Sequence, residues 1–71
     1  MKLALTFVSD DQGGYWVADG EDRFVAIGLH ELGILAATRG HTLDYSDVTW
    51  ADDAGVDPAV VEMARGRWHE P

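Results

Sequence analysis

Seventy-one residues, 46% of them apolar, make a single domain over 1–71 with a small core and a thin margin of stability. The absence of cysteine excludes a disulfide framework and any thiolate metal site. Thirteen acids against five lysines and arginines leave a formal net charge of −8, which opposes phosphate at long range and favours basic partners.

Lys2 to Ser9 alternates Leu3, Leu5 and Phe7 with Ala4 and Thr6, which predicts a first strand. Its apolar run is too short for a signal peptide, and no small-residue cleavage site follows. No stretch approaches the roughly 20 apolar residues of a membrane span. The expectation is therefore a cytoplasmic protein with no membrane contact. Asp10-Asp11-Gln12-Gly13-Gly14 reads as a turn, and Tyr15 to Ala18 as a second strand. Asp19-Gly20-Glu21-Asp22 is a hairpin signal, because glycine takes positive φ at no steric cost. Arg23 to Ile27 is the third strand, and the three form an antiparallel meander because every link is short.

At Gly28 the period changes. Leu29, Leu32, Leu35 and Ala36 recur at helical spacing and predict a helix over 29–39 that covers the sheet, with Gly40 as its C-terminal cap. Ile34 lies opposite that stripe, so a second layer should cover it. Thr42 is placed to cap a second helix over 43–54, in which Asp47 falls awkwardly on the apolar face. Tyr45, Val48, Thr49 and Trp50 are β-formers, and a fourth strand is the rival reading. Helix is the expectation. Asp57-Pro58 is a clean helix start, and Val60, Val61, Met63 and Ala64 give the last helix its apolar stripe. The fold expected is α+β: a three-stranded antiparallel meander followed by two or three helices, winged-helix-like.

That order of elements, with R-F-V-A-I-G-L-H-E-L-G-I-L-A-A-T-R-G at 23–40 and G-V-D-P-A-V-V-E at 55–62, resembles PqqD-like proteins. These are precursor-recognition domains of ribosomal peptide-natural-product pathways. Phe24, Ile27, Glu31, Gly33, Leu35 and Gly40 stand at the family's pattern positions, whereas Gly28-Leu29-His30 replaces its usual Asn-containing break. The resemblance implies a leader-peptide recognition element that binds by strand addition. The accepting edge would be Arg23, Phe24, Val25, Ala26 and Ile27. The groove beside it would be walled by Val60, Val61 and Ala64, with Trp68 near the chain end as a further anchor. The hairpin from Phe7 to Trp16, with its D-D-Q-G-G turn, resembles HicB-like antitoxin domains. D-V-T-W-A-D-D-A-G-V-D-P-A-V-V-E-M-A-R-G-R-W is similar to a helix-turn-helix, although Asp57 and Glu62 stand where phosphate contacts need bases.

Nothing in the sequence spells a reaction. His30, His41 and His69 lack a ligand spacing, the acids lack the D-x-D-x-D-G order of a calcium loop, and no phosphate-cradling glycine motif occurs. Ser9 and Ser46 lack nucleophile-elbow glycines. The expectation is a non-enzymatic binding module with no cofactor and no metal. Its partner would be a peptide or protein, basic or offering an extended segment, with no direct nucleic-acid binding. The alternative is a small acidic inhibitor, such as a phage anti-CRISPR protein or a HicB-like antitoxin. It would block a basic nucleic-acid-binding surface through Asp44, Asp47, Asp52, Asp53 and Asp57. A second alternative is a helix-turn-helix DNA-binding regulator. Three tryptophans are many for this length, and Trp is enriched at interface hot spots.

Overall fold

The computed structural model describes residues 2–68, and the side chains of residues 3–67. The strands are β1 (Lys2–Ser9), β2 (Tyr15–Asp19), β3 (Arg23–Ala26) and β4 (Thr42–Asp52); the helices are α1 (Leu29–Thr38) and α2 (Pro58–Trp68). They form one four-stranded mixed sheet in the order β3-β2-β1-β4. β1–β2 and β2–β3 pair antiparallel, while β4 lies parallel to β1.

The meander follows from its turns. The Asp10 carboxylate accepts from the backbone N–H of Gln12 at 2.9 Å and of Gly14 at 2.8 Å. Gly13 and Gly14 take φ of 106° and 107°, a region that favours glycine. The segment predicted as a second helix is instead β4, so the three-stranded, winged-helix-like expectation is corrected to four strands and two α-helices. β3, running parallel to β4, cannot reach it by a tight turn. α1 makes the crossover, passing over β2 and β1 on one face.

α1 ends as its glycine predicts. Gly40 takes φ 75°, His41 N–H donates to the Ala36 carbonyl at 2.8 Å, and Gly40 N–H donates to that of Ala37 at 3.2 Å. This is the paired bond pattern of a Schellman motif. α2 starts where Asp57 accepts from the Ala59 N–H at 2.9 Å. That bond, reinforced by Arg23, holds the Asp57 carboxyl below its usual range.

The two helices sandwich the sheet. On one face Leu3, Leu5, Ala18, Phe24 and Ala26 meet Leu32 and Ala36 of α1. On the other, Val8, Tyr15, Val17 and Val25 meet Val60 and Ala64 of α2. The stripe predicted for α1 is narrower than the spacing suggests. Leu32 is fully buried and Leu35 partly so, but Leu29 is 57% exposed. Ile34 is 52% exposed rather than covered by a second layer, because α2 occupies the opposite face of the sheet.

Tyr15 links the second core to the short 3-10 turn Asp53–Gly55: its hydroxyl donates to the Asp53 carboxylate at 2.9 Å. Burial first, then that carboxylate, raises the phenol above its ordinary value. A raised folded value means the neutral form stabilises the fold below the unfolded tyrosine value of about 10, and this contribution is lost as pH rises beyond it. Between about pH 9 and about pH 11 the denaturant midpoint should therefore fall more for wild type than for Tyr15→Phe. Equal slopes would show that the hydroxyl is not held neutral.

Candidate protein-binding surface

β4 occupies one edge of the sheet and has a defect that shapes it. Leu3 pairs with Leu43 and Leu5 with Val48, so β4 carries three extra residues in a bulge. The bulge holds Asp44 to Asp47 clear of the ladder, and the Asp44 carboxylate steadies it by accepting from the Ser46 N–H at 3.0 Å. Leu3, Leu5, Asp44, Asp47 and Thr49 line a shallow cavity of about 270 Å³ there. Beyond the bulge the pairing runs unbroken from Val48 to Asp52 against Leu5 to Ser9.

This register sets Trp50 beside Phe7, and Phe7 beside Trp16 on β2. The Phe7 ring lies 5.1 Å from Trp16, edge-on, and 5.4 Å from Trp50. Trp16 packs against the core on the α1 side, which places all three rings on that face. Trp50 is nevertheless 72% exposed. Its exposed ring sits on an edge strand whose acids, Asp44, Asp47 and Asp52, have no lysine or arginine in sequence between Arg39 and Arg65. Three of the four arginines are engaged elsewhere. Arg23 pairs with Asp19 and Asp57, Arg39 pairs with Asp22 and lies over the Phe24 ring, and Arg67 pairs with Glu31.

The residues expected from sequence fall differently. Arg23 to Ala26 do form the other edge, with Ile27 just past its end. Val60 and Ala64, expected as groove walls, are buried between α2 and the sheet at 2% and 1% exposure. They pack on Val25, and Val60 also lines a cavity of about 280 Å³ with Val8, Val17, Arg23, Ala51 and Val56. Val61 lies outside that contact, lining a shallow depression with Asp53, Val56, Pro58, Glu62 and Arg65. The Trp68 side chain and His69 lie outside the described residues. Of the five acids, Asp44, Asp47 and Asp52 share β4. Asp53 is bonded to Tyr15, and Asp57 caps α2 while pairing with Arg23. The first helix that a helix-turn-helix needs is replaced by β4.

No family model, curated protein or solved structure matches the chain.

Among the described residues no group of three His, Asp or Glu is placed to hold a metal. No helix among them is long and apolar enough to cross a membrane. His41 stacks on Phe24 and contacts Asp22 at 3.3 Å, a structural role at the start of β4. Sequence reasoning missed the Phe7–Trp16–Trp50 cluster. Its signal was the alternation of β1, but using it required knowing that β4 pairs with that strand.

Proposed function

We propose that the chain is a non-catalytic protein-binding module that takes an extended segment of its partner onto a sheet edge. The supporting observation is β4: eleven residues, outermost in the sheet, with few buried side chains. An edge strand presents alternate backbone N–H and C=O groups outward, and a partner strand satisfies them while side-chain contacts supply selectivity.

The resemblance to PqqD-like proteins implies strand addition at β3, and the same physics applies there with less room. β3 has four residues, so only about half of them face outward. Glu31 in the first turn of α1 pairs with Arg67 in the last turn of α2. The helices pack on opposite faces of the sheet, and this pair ties the two together.

A second reading is supported by the same strand. Asp44, Asp47 and Asp52 along β4 suit an acidic inhibitor that occupies a basic nucleic-acid-binding surface. The two readings differ in salt dependence. Ladder bonds and apolar contacts survive salt, whereas exposed carboxylate contacts are screened.

Amide hydrogen exchange tests the proposal. In the free protein, alternate amides across residues 48–52 should exchange fast. In a complex with a partner recovered by affinity capture, these amides should become protected at both low and high salt. A complex that leaves them fast would rule out strand addition at β4. If it also dissolves at high salt and fails with Asp44, Asp47 and Asp52 changed to Asn, the inhibitor reading replaces it.

A further inference from the structure

We infer that the β4 edge selects an extended basic segment and reads an arginine of it on Trp50; this rests on the strand-addition reading above. Three features converge at one end of the sheet. Trp50 exposes most of its indole, and the Phe7 ring, 5.4 Å away and tilted by 59°, packs against it. A strand added to β4 would place alternate side chains on the face that carries Trp50. Asp52, two residues on, belongs to that face and is exposed. One of its oxygens accepts from the Ala54 N–H, which fixes the carboxylate.

An indole face next to a carboxylate suits a guanidinium better than any other side chain. The planar cation stacks on the ring while its N–H groups donate to the acid. An ammonium is smaller and more strongly hydrated, and does not stack. Charge also decides against the other occupants. A second copy of the chain would bring Asp44, Asp47 and Asp52 against the same acids, and like charges across a strand pair repel. A nucleic-acid base could stack on Trp50, but its phosphates would meet a surface without a free cation on that strand.

The test uses an acetylated, amidated heptapeptide of alternating threonine or valine and arginine, followed by the Trp50 indole signal in NMR. Its twins carry citrulline for arginine, or N-methyl groups at alternate residues. The citrulline twin should bind about tenfold more weakly, as the summed loss of an exposed cation–π contact and its ion pair requires. Trp50→Leu should lose about as much for the arginine peptide and little for the citrulline twin. Far-UV circular dichroism confirms that this exposed position leaves the fold intact. Equal affinity of arginine and citrulline peptides would overturn the inference, as would no binding by any peptide, or a dimer that buries Trp50. If the N-methylated twin binds as well as its parent while the citrulline twin does not, arginine recognition stands and strand addition is the part that fails.

Discussion

Leu32→Ala should leave the protein largely unfolded at 25 °C. Leu32 is fully buried where α1 seats on Leu3, Leu5 and Ala18, and truncating such a leucine costs about 2–5 kcal/mol. A core of this size rarely supplies more than about 3–5 kcal/mol, so the two quantities are comparable. The cost is high because α1 cannot shift to refill the gap. It is pinned at one end by Gly40 and His41 and at the other by the short link to β3. Leu35→Ala, at a partly buried site, should cost less, and Leu29→Ala should stay within about 0.5 kcal/mol, as exposed positions do. Urea denaturation followed by circular dichroism ranks the three. A wild-type midpoint for Leu32→Ala would mean that α1 does not seat as described.

Gly14→Ala should be the second severe change, and for a different reason. Gly14 has φ of 107°, which costs an alanine about 1–3 kcal/mol before any contact is counted. Its Cβ would also point into the Phe7 ring and lie 2.8 Å from the Val8 carbonyl oxygen. The ring can rotate away, but the carbonyl belongs to the β1–β2 ladder and cannot. Gly13 has nearly the same φ with open space around it, so Gly13→Ala pays the backbone term alone. The prediction is a lower denaturation midpoint for Gly14→Ala than for Gly13→Ala. Gly14→Ala should also change the tryptophan emission, because the displaced Phe7 ring contacts both Trp16 and Trp50. Equal midpoints would show that β1 yields to the added methyl.

These residues also show what could be read before the fold was known. β1, β2, β3 and α1 were legible because each has an undisturbed period and a punctuating turn, such as Asp10 to Gly14 or Gly40. β4 was not, and the bulge explains why. Leu43 and Val48 pack on the same core though five residues apart, an odd spacing that no strand alternation permits. Three extra residues shift the phase midway, and the halves taken together look neither helical nor extended. Asp47 fits no apolar helix face because it belongs to that bulge. The start of α2 was plain from Asp57-Pro58, but Val60 and Ala64, expected as groove walls, pack on Val8, Tyr15, Val17 and Val25 as core. The aromatic cluster was hidden along with β4. Phe7 and Trp16 meet across the antiparallel hairpin, but Trp50, far along the chain, joins them only through the parallel pairing of β4 with β1.

The acids along β4 have a consequence for self-association. An open sheet side can extend indefinitely, each added strand exposing a fresh template for the next. Asp44, Asp47 and Asp52 discourage a like copy at this side, because like charges across a strand pair repel. The protein should therefore stay free of fibres at concentrations where an uncharged edge of the same length would polymerise.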